Sequence, residues 1–218
     1  MKFGVVRFPG SCDEVDALLA CRRYRDTELL WHGDRDLQGV DVVVIPGGFS
    51  YGDYLRVGAI ARFSPVMESV AEFARSGGLV LGICNGFQVL CEARLLPGAL
   101  LPNSERRFVC RQLDIEVASA DTAWTSACTT GEVLSIPVKH TSGRYYVPDD
   151  QLADLNVVFR YAHDGNPNGS TDDIAGVANA EGNVVGLMPH PEHAVDPLTG
   201  STDGLKLFES AVRERVPV

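Results

Sequence analysis

Leu79-Val80-Leu81-Gly82-Ile83-Cys84-Asn85-Gly86-Phe87-Gln88 is the stretch on which the fold turns. A short apolar run ending in Gly-x-Cys-x-Gly has the form of a buried strand that bends sharply into a helix and holds a nucleophile at the bend. Side chains larger than glycine at the two flanking positions would collide in so tight a turn. A helix starting at Asn85 directs the positive end of its dipole at Cys84, which favours the thiolate that attacks. Alone, a cysteine closing an apolar run is usually a small core residue, and Cys12, Cys21, Cys91, Cys110 and Cys128, which lack this context, keep that reading.

Working outward, short apolar runs alternate with helical patterns, which specifies an α/β domain with a largely parallel sheet. Strands are expected at Phe3 to Phe8, Glu28 to Trp31 and Val42 to Ile45. Between the first two, Ser11 is a candidate cap for a helix carrying Val15, Leu18 and Leu19 on one face. Pro46-Gly47-Gly48 ends the third strand, and a loop from Phe49 to Gly58 follows. Ser64-Pro65 opens a helix that buries Met67, Val70, Ala71 and Phe73 and closes at Gly77-Gly78.

Beyond Leu96-Pro97-Gly98 the pattern changes to strands at Leu113 to Val117, Val133 to Ile136, Val157 to Tyr161 and Val184 to Met188. They predict an antiparallel extension of the sheet. A closing helix is expected from about Asp203 to Arg213, with Leu205, Leu207, Phe208 and Val212 mostly inward. With no repeat or linker in its 218 residues, the chain is expected to form one domain, 1–218.

Composition limits the function classes. A formal charge of −10 opposes binding to nucleic acid, which needs clustered Lys and Arg. No run approaches the roughly 20 apolar residues of a membrane span. The opening apolar stretch breaks at Arg7, Pro9 and Gly10, so no secretory leader is expected and the six cysteines are expected to be reduced thiols in the cytoplasm. No C-x-x-C, H-E-x-x-H, Walker A or G-x-G-x-x-G signature is present, so neither a metal nor a bound nucleotide is expected in this chain.

A second motif, Met188-Pro189-His190-Pro191-Glu192-His193, follows the strand ending near Leu187. Prolines on both sides stiffen His190. A histidine there takes a thiol proton and returns it to a leaving amine, while Glu192 fixes its tautomer. A histidine at a strand end is more often structural, but Cys84, His190 and Glu192 together form a complete triad. His193 and His140 compete for the base role without an acidic residue two positions on. His163-Asp164 is weaker because Asn166-Pro167-Asn168-Gly169 marks a mobile turn, and His32 is expected at the surface. Two oxyanion donors are needed, the N–H of Asn85 and one from Gly47-Gly48-Phe49, although the latter also reads as a plain turn.

Gly82-Ile83-Cys84-Asn85-Gly86-Phe87-Gln88 and Pro189-His190-Pro191-Glu192 together resemble class I, triad-type glutamine amidotransferases. Pro46 to Tyr54 and Leu101 to Arg111 resemble, within that class, the glutaminase components of phosphoribosylformylglycinamidine synthases, and the resemblance runs nearly end to end. It implies a flavodoxin-like fold with helices on both faces of the sheet, and hydrolysis of L-glutamine to glutamate and ammonia. It also implies delivery of ammonia to a synthetase subunit that uses ATP and Mg²⁺ to convert formylglycinamide ribonucleotide to its amidine, with a small third subunit assisting assembly. Carried over by position, Cys84, His190 and Glu192 are catalytic, Gly48, Phe49 and Asn85 line the oxyanion region, and Gln88 helps hold substrate. Arg106, Arg107 and Arg111 either face the synthetase or are solvated charges.

Two positions depart from the family pattern. His140-Thr141-Ser142-Gly143-Arg144 lacks an acidic residue near Ser142, and His193 replaces an arginine. Both departures are expected to bear only on rim or partner contacts. A cysteine peptidase or chaperone-like hydrolase on a similar fold, and a noncatalytic interaction module, are the rival classes. Glu192 speaks against the first and the intact triad against the second.

Overall fold

The computed structural model describes residues 1–215. Eleven strands and four α-helices follow in chain order: β1 Lys2–Arg7, α1 Glu14–Arg22, β2 Asp26–Trp31, β3 Val42–Ile45, α2 Pro65–Arg75, β4 Leu79–Ile83, α3 Asn85–Glu92, β5 Ala99–Leu101, β6 Val109–Val117, β7 Val133–His140, β8 Arg144–Tyr146, β9 Asn156–Tyr161, β10 Ile174–Ala178, β11 Val184–Leu187 and α4 Leu205–Arg215. Nine strands form one sheet in the order β2-β1-β3-β4-β11-β10-β9-β6-β7, while β5 and β8 pair separately. From β2 to β11 every pairing is parallel. From β11 to β7 every pairing is antiparallel.

The parallel half reads 2-1-3-4, a doubly wound arrangement in which the chain goes to opposite sides of β1, and ligands bind beyond the carboxyl ends of such strands. β3 and β4 are fully buried, as strands covered on both sides must be. Gly82 of β4 lies opposite Gly186 of β11 in register. A Cβ at Gly82 would meet Leu90, and one at Gly186 would meet Phe87 and Leu96. The paired glycines therefore seat α3 directly on the two strands that carry the Cys84 and His190 turns.

Several elements differ from their sequence-based expectations. β11 belongs to the parallel core rather than to the antiparallel extension. β10, with the small residues Ala175, Gly176 and Ala178 in its five positions, carries little strand signal, and β5 and β8 have only three residues each. α1 buries Ala17, Leu18, Ala20 and Cys21, while Val15 and Leu19 are each 54% exposed. Ser11 precedes the helix and its Oγ accepts from Phe8 N; Asp13 occupies the N-cap position. α2 spans its expected range, but Ala71 and Phe73 are only half-buried, the buried face being Val66, Met67, Val70 and Ala74. In α4, Leu207 and Phe208 are buried and Leu205 and Val212 half-buried. The Asn166 turn is pinned: its Oδ1 accepts from the N–H groups of Asn168, Gly169 and Ser170. All six cysteines are unpaired, and among the described residues no helix is long and apolar enough to cross a membrane.

Candidate active site

Cys84 lies one residue past β4 with φ 50° and ψ −102°. A non-glycine residue held there stores about 1–3 kcal/mol of strain. Its surroundings enforce the conformation. Cys84 N donates to Leu187 O at 2.8 Å and its carbonyl accepts from Gln88 N at 3.2 Å. A Cβ at Gly86 would run into the Ile45 carbonyl, so the first turn of α3 closes tightly over the end of β3. The thiol is 6% exposed and donates a long hydrogen bond, 3.8 Å, to Lys139 O.

Because β11 runs parallel beside β4 with Leu187 opposite Ile83, the turn after β11 emerges next to the Cys84 turn. His190 is held there by its N–H, which donates to Pro137 O of β7 at 2.8 Å. Nδ1 donates to Glu192 Oε1 at 2.6 Å, and both side chains are buried. Nε2 and Glu192 Oε2 have no hydrogen-bond partner among the described residues. Burial alone depresses the imidazole pKa, but the negative charges of Glu192 and Cys84, with the hydrogen bond to Glu192, reverse the effect and raise it to about 10. Such an imidazole holds a proton taken from the thiol.

Above this pair lies a narrow cleft lined by Gly48, Cys84, Gln88 and His190, with Phe49 and Phe108 supplying apolar surface and Asp53, Lys139, His140 and Ser142 supplying polar groups. Gly48 sits at φ +142°. Its N–H and that of Asn85, the first residue of α3, find no acceptor among the described residues. Phe49 N is committed to Gly10 O at 2.8 Å, so Phe49 contributes its ring to the cleft rather than a free donor. Asn85 turns its side chain inward, accepting from Ser50 N and donating to Gln88 Oε1. Gln88 Nε2 in turn donates to Ser142 O at 2.7 Å. The Gln88 amide thus braces the two walls. Burial raises the Asp53 carboxyl to about 6, against an opposing hydrogen bond from Asn85.

The remaining histidines separate clearly. His140, which ends β7, is buried and neutral: Nδ1 donates to Asn103 Oδ1 and Nε2 accepts from Asn168 Nδ2. Its pKa is lowered to about 4, chiefly by burial and then by the positive charge of His190. His163 is exposed. His32 is half-buried rather than superficial, and it hydrogen-bonds Tyr51 Oη through Nδ1 at 2.7 Å. His193 stacks on His190, ring centroids 5.2 Å apart at 10°, so this departure from the family pattern touches the triad instead of the rim. Two residues were not anticipated. Asp13, 3% exposed, places Oδ2 3.7 Å from His190 Nδ1 and accepts an ion pair from Lys139 Nζ at 2.5 Å. Neither residue lies in a motif, and only a β7 strand drawn through to His140 would have brought Lys139 to the cleft. A larger concavity, lined by Leu79, Thr122 and Val184 among others, lies at the opposite ends of β4 and β11 and carries no cysteine or histidine.

Residues 1–213 match the CobB/CobQ-like glutamine amidotransferase domain family. Phosphoribosylformylglycinamidine synthase subunit PurQ from a Nostoc species is 52% identical, with 99% of each chain covered. The protein of the same name from Rubrobacter xylanophilus is 57% identical over 97% of this chain and 98% of its own. Among solved structures, a chain of PurLQS from Thermotoga maritima superposes with a TM-score of 0.91 at 45% identity, covering 97% of both chains. The chain belongs to the glutamine amidotransferase family.

Proposed function

We propose, from that membership, that the chain is the glutaminase subunit of a phosphoribosylformylglycinamidine synthase, a single domain working in the cytoplasm. The carrying observation is a cysteine elbow beside a buried His-Glu pair in a chain that aligns over nearly its whole length with PurQ proteins. Its substrate is L-glutamine. Cys84 gives its proton to His190 Nε2 and attacks the side-chain amide carbon. The developing oxyanion meets the N–H groups of Gly48 and Asn85, preorganised donors of the kind that typically stabilise such charge by about 3–4 kcal/mol each. His190 then protonates the departing nitrogen as ammonia, leaving a thioester on Cys84. With Glu192 holding its Nδ1 proton, His190 next activates a water that releases glutamate and restores the thiol. Gln88 keeps the cleft walls in register while glutamine is held.

Ammonia passes to the synthetase subunit, which converts formylglycinamide ribonucleotide to formylglycinamidine ribonucleotide with ATP and Mg²⁺; a small third subunit completes the assembly, and this chain needs no cofactor of its own. Arg106, Arg107 and Arg111 are exposed and form no ion pair among the described residues, which leaves them free to face the synthetase. The test is glutamate release by the chain alone and with both partners, ATP and the ribonucleotide. Turnover is expected to rise on assembly and to vanish in Cys84→Ala. Cys84-independent turnover in the assembled complex overturns the reading.

A further inference from the structure

His190 and Glu192 belong to a denser group than a triad requires. Asp13 Oδ2 is 3.7 Å from His190 Nδ1 and Asp13 Oδ1 is 3.6 Å from His193 Nε2. Glu192 Oε1 is 2.6 Å from His190 Nδ1 and 3.9 Å from His193 Nε2. One donor atom from each of the four residues lies within 4.8 Å of all the others. A tetrahedral zinc ion with bonds of ~2.0–2.1 Å spaces its ligands by about 3.3 Å; the contacts run from 2.6 to 3.9 Å and the four-atom set reaches out to 4.8 Å, so side-chain shifts close it on an ion. Two imidazoles with two carboxylates suit a zinc-class cation rather than Mg²⁺ or Ca²⁺, which prefer all-oxygen sites. A separate observation concerns the same carboxylate: Glu192 is 2% exposed, and its second oxygen, Oε2, has no hydrogen-bond partner among the described residues, which leaves the buried group able to take a cation.

We propose that Asp13, His190, Glu192 and His193 form a binding site for a zinc-class divalent cation, and that filling it switches the glutaminase off. Lys139 Nζ already neutralises Asp13 at 2.5 Å, and its side chain is 31% exposed. The ammonium swings into the cleft as the metal arrives. The metal takes the Nδ1 lone pair of His190, and the proton that Nδ1 donated to Glu192 passes through solvent to Nε2. A neutral imidazole bound through Nδ1 carries its remaining proton on Nε2, the nitrogen that must accept from Cys84. The base is then locked in the wrong tautomer. Binding rests on the geometry alone; inhibition rests also on the proposed glutaminase reaction.

Cobalt(II) titration of the full chain reads the site without any turnover. The expected result is visible d–d absorption from one tetrahedral nitrogen and oxygen site per chain, retained in Cys84→Ala and requiring at least about 10–100-fold more metal in His193→Arg. His193→Gln, smaller than the native side chain, supplies the same test without an added charge. In the assembled complex, Zn²⁺ is expected to suppress glutamate release reversibly with EDTA, and the His193 variants are expected to resist it by the same factor. A thiolate-to-cobalt charge-transfer band abolished by Cys84→Ala would place the metal on the nucleophile and overturn the proposal. Wild-type affinity in both His193 variants would overturn it too. If cobalt binds as expected but glutamate release proves independent of Cys84, the metal site stands and the glutaminase reading falls.

Discussion

Two buried histidines end neighbouring segments on the same cleft, and their environments drive them in opposite directions. The turn after β11 gives His190 a carboxylate partner, and its pKa rises to about 10. The end of β7 gives His140 two side-chain amides, Asn103 and Asn168, and its pKa falls to about 4. Burial is nearly the same for both, 1% and 3% exposed. The partner decides which ring works as a base and which serves as a fixed, neutral strut.

The sharpest way to break this contrast is to exchange each ring for asparagine. His190→Asn is expected to cut glutamate release by at least about 10³-fold, whereas His140→Asn is expected to stay within roughly tenfold and to act mainly on stability. Equal losses of turnover, measured under saturating glutamine in the assembled complex, would erase the distinction. Next in size, Glu192→Gln leaves the ring in place but removes the charge that holds its proton. A fall in kcat of about 10²–10⁴-fold is expected, with much less change in KM; a KM effect alone would show that Glu192 serves substrate binding.

Acid stability gives a third comparison. The folded-state pKa of His140 lies below its unfolded value, so its neutral form favours the folded state fully above about pH 6.5, an advantage that is lost as pH falls toward 4. The change amounts to about 3 kcal/mol, and denaturant titrations across that window should show it in the wild type and not in His140→Asn. His190 has the opposite sign. Its charged form stabilises the fold fully below about pH 6.5 and ceases to do so as pH rises through about 10. The smallest expected effect is the most specific: Asn168→Asp places a carboxylate beside His140 and should raise its pKa by at least about one unit, read by NMR titration of the ring. An unmoved pKa would mean that burial, not the partner, governs His140.

The sequence displays the His190 side of this contrast and conceals the His140 side. Gly82-Ile83-Cys84-Asn85-Gly86 and Pro189-His190-Pro191-Glu192 are local motifs, each complete within a few residues, and their backbone demands are written in glycine and proline. The partners of His140 come from residues 103 and 168, in separate loops, and Asp13 reaches His190 from the turn after β1. Asn103 lies in the Leu101 to Arg111 motif and Asn168 in the Asn166 turn, but neither signal points to His140. Strand direction is equally hidden, since a buried Val-Val-Gly-Leu run has the same composition whether it pairs parallel or antiparallel, so the sequence alone groups β11 with the antiparallel strands that precede it. In α1 the Val15 and Leu19 spacing suggested the wrong face because small residues, Ala17, Ala20 and Cys21, fill the buried one. Periodicity weighs large apolar side chains, and among them this interface takes only Leu18 from the helix.

β11 is the last strand among the described residues, yet it occupies the middle of the nine-stranded sheet, between β4 and β10. A ribosome making this protein emits Cys84 first and His190 roughly 5–20 s later, at synthesis rates of ~5–20 residues per second. Until the final strand threads into place, the nascent chain has a nucleophile and no base. The topology thus works as an assembly checkpoint, and a covalent active-site titre doubles as a count of molecules whose sheet has closed.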